Sequence, residues 1–215
     1  MDAIIFTGFI GFIVAICVGI GEFLLHFNAK DDRSQEPYQF MRTIPRRRLT
    51  AGHFISVLIA PLYLIGFWHF YKMLEPGGGF LPLAVAGLAG YSLIMDMAWL
   101  SSRAMLGAIM QGQKKLTNLT DVIRAYRLYG ETLLEIVRFV MQVMSVGFIY
   151  LVWQGATYYP TWMIVFNPIL ILAALSILYA VFPKVGKYLM PGALHINYAI
   201  FFALSTYFAI RLKVG

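Results

Sequence analysis

Six apolar stretches, separated mostly by short basic loops, leave this chain few ways to fold. They lie near residues 3–27, 51–73, 81–111, 125–153, 162–182 and 193–210. A hydrocarbon core about 30 Å thick takes ~20 helical residues to cross. Each stretch is about that long or longer. In lipid every backbone amide must find its partner inside the protein, which leaves helices or closed barrels. Continuous apolar runs of this length read as helices. The expected architecture is all-α: a polytopic membrane protein, a bundle of six transmembrane helices in one domain over 1–215. Composition agrees, since only 13% of residues are charged against about 25% in a soluble domain. The first stretch stands where a signal peptide would. It lacks a basic leader, and Glu22 and His26 replace a cleavage site, so it is read as a retained span.

The net charge of +7 would suggest a nucleic-acid partner if the basic residues formed a patch. They sit instead in the loops. One set of loops carries Lys30, Arg33, Arg42, Arg46, Arg47, Arg48, Lys114, Lys115, Arg124, Arg127, Lys184 and Lys187, and the other set carries Lys72, Arg211 and Lys213. That asymmetry is a topology signal. It excludes nucleic acid and places the heavily basic loops in the cytoplasm, with both termini outside and the chain in the cell (inner) membrane. Trp68, Trp153, Trp162, Tyr158 and Tyr159 then fall on the outer side, as an interfacial aromatic belt would. The long first loop, with four arginines among Tyr38, Phe40, Met41 and Ile44, suits contact with anionic headgroups of the bilayer.

Ionisable side chains inside these spans are costly unless paired or facing a wet cavity, which makes them functional candidates. On span four, Arg127, Glu131, Glu135, Arg138, Gln142 and Ser145 recur at steps of three and four and share one narrow face. That face is expected to point at other helices. On span one, Gly8, Gly11, Ala15, Glu22 and His26 form a seam of small residues continued by a polar pair. Ser92, Asp96, Trp99 and Arg103 share a face of span three. At about 1.5 Å per residue, Glu22, His53, Asp96, Arg103, Glu131, Glu135, Arg138, His195 and Asn197 all fall in the cytoplasmic half of the bundle. Asn167-Pro168 is expected to break span five, and Pro61 span two.

These residue types point to proton chemistry. Two carboxylates one turn apart, Glu131 and Glu135, repel if both ionise, which suits one of them to acid/base work. Glu131, Glu135, Asp96, His53 and His195 are the catalytic candidates. Glu22, Arg103, Arg138, Asn197 and Trp99 are the candidates for holding a ligand. His53, His195 and a carboxylate are the right types for zinc, but no HxxxH or HExxH spacing occurs, so no metal is assigned and the cofactor is left unknown. The single Cys17 rules out an internal disulfide. No GxSxG elbow, P-loop or GxGxxG context is present, and no lysine lies within 193–210 to carry a retinal Schiff base.

The leading expectation is a membrane-embedded protein that binds or transforms a lipid-like, amphipathic small molecule by acid/base chemistry. Its apolar body would lie among the aromatics of the outer half. The first rival is a proton- or cation-coupled transporter, for which a homo-oligomer is the expected working state. The second is a non-catalytic partner subunit whose polar stripe contacts another chain. An enzyme needs its pocket closed to the outside, whereas a transporter needs a polar route through both halves; the sparse charge of the outer half favours the first.

Overall fold

The computed structural model describes residues 1–28, 38–112 and 120–214. Lys30, Arg33, Lys114 and Lys115, assigned above to the basic loops, lie outside the described residues. The architecture is all-helical: α1 (Asp2–His26), α2 (Arg46–Ile59), α3 (Tyr63–Leu74), α4 (Leu81–Gly112), α5 (Thr120–Trp153), α6 (Pro168–Val181), α7 (Pro183–Leu189) and α8 (Ala193–Val214). Short 3-10 turns join several of them. Helices α2 and α3 are two halves of one span, broken over Ala60–Leu62, where Pro61 cannot donate an amide. Helices α7 and α8 are divided in the same way over Met190–Gly192 around Pro191.

The bundle is that of a polytopic membrane protein. Five helical segments are long and apolar enough to cross a bilayer. The sixth is shorter than the sequence suggests, because α6 has only 14 residues. Asn167-Pro168 begins this helix rather than interrupting it. The Asn167 side chain accepts hydrogen bonds from the amides of Ile169 and Leu170, at 3.0 and 3.2 Å, and donates to the Ile164 carbonyl at 2.8 Å. That is an N-cap followed by proline at the first helical position, where its missing N–H costs nothing. The stretch before it, Thr161–Phe166, is a 3-10 turn. The outward faces are apolar, with Phe6, Ile13, Ile20, Leu58, Ile94, Val146 and Ile177 all exposed. Such a belt is ruinous in water and natural against acyl chains.

Helix α1 is the keel against which the others close. A Cβ on Gly21 would stand 2.3 Å from the Ser56 hydroxyl oxygen, and one on Gly66 would stand 2.8 Å from the Gly11 Cα. The small-residue seam therefore brings α1 against both halves of the broken span, gaining dispersion where apolar burial offers little inside lipid. Gly8, Gly11, Ala15, Glu22 and His26 are all buried, as that seam requires. At the C-terminus of α1, Arg48 reaches across and donates to the Phe27 and Leu24 carbonyls at 2.7 and 3.0 Å. It satisfies acceptors the helix leaves open and sets a cation at the negative end of the dipole. Arg48 is thereby a structural cap, while Arg46 and Arg47 stay exposed.

Of the aromatics expected at the outer interface, all but one are exposed. Trp68, Trp153, Trp162 and Tyr158 are exposed, but Tyr159 turns inward and is buried.

Candidate functional site

Three of the expected residues converge where the proline breaks interrupt the helices. Glu22 comes from α1, Asp96 from the middle of α4 and His195 from the first turn of α8. The His195 Nε2 lies 3.7 Å from a Glu22 carboxylate oxygen and 3.8 Å from an Asp96 oxygen. All three side chains are buried, His195 to 1% and Asp96 to 3% exposure. On its other side the ring meets Tyr63, the first residue of α3, whose hydroxyl stands 2.9 Å from Nδ1. Tyr63 donating to Nδ1 satisfies most atoms here. It leaves the proton of the neutral ring on Nε2, aimed at two carboxylates.

Those carboxylates are too far away to be hydrogen-bonded. At 3.7–3.8 Å each contact exceeds a hydrogen bond by more than half an ångström. The His195 Nε2, the Glu22 Oε2 and the Asp96 Oδ2 are buried without a hydrogen-bond partner among the described residues. Buried polar atoms nearly always find partners, so three orphans facing one another mark a place built for something besides packing. Catalytic contacts are often this loose before a ligand draws them together.

A second group continues from the first towards the basic end. Glu22 is 3.8 Å from the His26 ring, and that ring stacks on Trp99 at 5.4 Å between centroids. The Arg103 guanidinium lies 4.0 Å from the Trp99 ring centre on the same face of α4 and 5.2 Å from that of Tyr38, both cation–π distances. It also lies 4.0 Å from a Glu131 oxygen, and the Tyr38 hydroxyl donates to that carboxylate. Tyr38 holds a left-handed backbone at φ 66°, which a side chain with a Cβ adopts at a cost of about 1 kcal/mol. Burial first, and then the Glu131 carboxylate, push the Tyr38 hydroxyl above its usual value, so it stays a donor at neutral pH. The result is a row of polar and aromatic side chains from His195 to the basic end of the bundle.

Several expected members lie elsewhere. Glu135 and Arg138 are exposed on the outer flank of α5 and bond to each other. The α5 stripe therefore does not face the other helices: Arg127, Gln142 and this pair point outward, Glu131 is half-buried, and only Ser145 is buried. Glu131 and Glu135 do not crowd one another, since each turns to a different partner. His53 is half-buried, with its ring edge-on to the neighbouring Phe54, and is not joined to His195. Asn197 is fully buried on α8, and neither amide atom is hydrogen-bonded among the described residues. No three His, Cys, Asp or Glu side chains among the described residues are placed to hold a metal ion.

Sequence reasoning passed over two tyrosines, Tyr63 and Tyr38. Tyr63 reads as one of the outer-half aromatics and Tyr38 as part of an interfacial loop; the proline two places before Tyr63 is the one local sign that it opens a helix. It also passed over a buried chain at the opposite end of the bundle. His69 Nδ1 bonds the Ile4 carbonyl at 2.7 Å, His69 Nε2 meets the Ser205 hydroxyl at 2.6 Å, and Tyr159 meets the same hydroxyl at 2.7 Å. Between the two polar zones lies an aromatic layer of Tyr63, Phe67, Tyr198 and Phe202, with ring centres 5.5–6.4 Å apart. A cavity bounded by Phe67, Phe70, Tyr198 and Phe202 holds about 10 Å³, barely room for one water.

An apolar groove reaches His195 from the side. It holds about 290 Å³ between α1 and α8 and is lined by Ile16, Gly19, Ile20, Tyr188, Ile196 and His195 among others. Its mouth opens on the apolar flank, where Ile16 and Ile20 are exposed.

Fold and site together define a polytopic α-helical membrane protein with a buried acid–histidine centre whose histidine borders an apolar groove. The chain belongs to a family of unknown function, DUF6796, whose model matches residues 2–207. No curated protein and no solved structure matches it.

Proposed function

We propose that the protein binds a lipid-like amphipathic molecule from within the bilayer and moves a proton on its polar end. The observation that carries this reading is one side chain shared by two environments. His195 lines the apolar groove, while its Nε2 faces Glu22 and Asp96 with no hydrogen-bond partner among the described residues. An apolar body fits the groove, which is at the small end of ligand sites of about 300–1,000 Å³. The polar end would then draw Nε2 and the two carboxylates into hydrogen-bonding range. Tyr63 orients the ring, and the row through His26, Trp99, Arg103 and Glu131 leads towards the basic loops. In this reading His195, Glu22 and Asp96 exchange the proton, and Arg103 and Trp99 sit behind them as positioning residues. The basic loops lie in the cytoplasm of the cell membrane and both termini lie outside. The aromatic rings packed between the two polar zones favour this over a transport route through both halves.

Purified protein incubated with membrane lipid extract and washed tests the reading, with bound and converted species identified by mass spectrometry. Wild type retains an amphiphile, and Ala199→Trp, which fills the groove, retains at least tenfold less. His195→Gln still retains the molecule but stops its conversion. Equal retention by wild type and Ala199→Trp would sink the proposal. Thiol labelling of Arg47→Cys from outside intact cells would reverse the orientation.

A further inference from the structure

The outward face of α5 is a dry-looking surface with polar residues where lipid should be. Leu128, Thr132, Glu135, Phe139, Gln142, Val146, Ile149 and Trp153 follow one another at alternating steps of four and three. That is a 3.5-residue period, the spacing that keeps a seam against a parallel partner helix. Seven of these eight are exposed and Ile149 is half-buried, so nothing among the described residues covers the row. Meanwhile Val137, Met144 and Leu151 on the other side of α5 are buried in the core. Counted back from the interfacial Trp153 at about 1.5 Å per residue, Gln142 sits ~16 Å deep, near the middle of the apolar slab, and Glu135 ~27 Å, near its far edge. An amide at mid-depth is disfavoured against acyl chains and is strongly drawn to another amide.

We infer that this face is an interface with a second copy of the chain, the two α5 helices running parallel about a two-fold axis along the bilayer normal. The charge pattern selects the occupant. The Glu135 side chain is 67% exposed and that of Arg138 55% exposed, and they lie on one helix turn. In a two-fold pair the Arg138 of one copy stands about 4.5 Å along the axis from the Glu135 of the other, within reach of its side chain. The face complements itself in sign and needs no differently charged partner. The two Gln142 amides meet at the same height, and each can donate to and accept from the other. Phe139 and Val146 fill the space between them.

Cross-linking of the full chain in lipid nanodiscs tests this, in a Cys17→Ser background that removes its one cysteine. Oxidation of Phe139→Cys or Val146→Cys yields a disulfide-linked dimer as the main species. Ile13→Cys, on the exposed flank of α1, stays at background. Gln142→Leu, at an exposed site where folding is not at stake, raises the dimer dissociation constant by about three- to tenfold, as loss of an interhelical polar contact in lipid does. Three results overturn the inference: a monomer by mass in the nanodisc, cross-linking no greater at 139 and 146 than at 13, or a dimer that Gln142→Leu leaves unchanged.

Discussion

Two buried histidines, one towards each end of the bundle, show opposite solutions to the same problem. His69 is fully satisfied. The Ile4 carbonyl can only accept, so Nδ1 carries the proton; Nε2 then accepts from Ser205, whose oxygen accepts from Tyr159. Every proton has one place to go, and the chain ties α1, α3 and α8 to the segment after α5. His195 is equally buried but faces two carboxylates it does not reach. The first arrangement stabilises the fold. The second spends stability on a geometry that only a further group completes, the pattern expected of a site.

The comparison breaks most visibly under substitution. Ser205→Ala strands the His69 Nε2 and the Tyr159 hydroxyl in a dry interior, which costs about 2–3 kcal/mol and lowers the unfolding midpoint by roughly 5–10 °C. Asp96→Asn removes a carboxylate whose Oδ2 already lacks a hydrogen-bond partner among the described residues, so the midpoint holds or rises. Thermal unfolding in detergent, followed by tryptophan fluorescence, reads both. Equal losses would erase the distinction between the two centres. Gly8→Ala probes the satisfied centre by crowding, because its Cβ would stand 2.3 Å from the Thr206 hydroxyl oxygen and 2.8 Å from the His69 ring. The expected loss is about 1–3 kcal/mol, and Gly19→Ala, whose Cβ meets His195 at 3.2 Å, loses less.

Smaller effects sharpen the contrast. Tyr63→Phe deletes the single hydroxyl on His195 at about 1 kcal/mol. It also frees the ring to exchange tautomers, which the imidazole nitrogen shifts of labelled histidine report; unchanged shifts would remove Tyr63 from the site. Arg48→Ala uncaps α1 at roughly 0.5–1 kcal/mol, visible as faster amide exchange near Phe27 and not near His69.

The sequence carried the α1 seam and the α4 face well, because glycine spacing and a lone acid among apolar residues each imply burial. The α5 stripe misled for a definite reason. A helical projection shows which residues share a face, but which way the face points depends on what packs there. Glu135 and Arg138 are expected inside on the premise that lipid forbids charge, while in the structure they are exposed on α5 and bond to each other. The length of α6 was hidden because hydropathy registers side chains and not the backbone, and Asn-Pro reads alike as a kink or a start. The His69–Ser205–Tyr159 chain joins residues 46 to 136 positions apart, a pairing that no local pattern announces.

The side-opening groove sets the terms on which any occupant is weighed. A molecule arriving through it leaves one oily phase for another, so its alkyl part contributes little to affinity. Each methylene has already given up about 0.8 kcal/mol on entering the membrane. Eight of them concentrate a solute there by roughly five orders of magnitude over water. Recognition by such a protein is then a matter of the polar end alone, and a weak-looking site can remain filled.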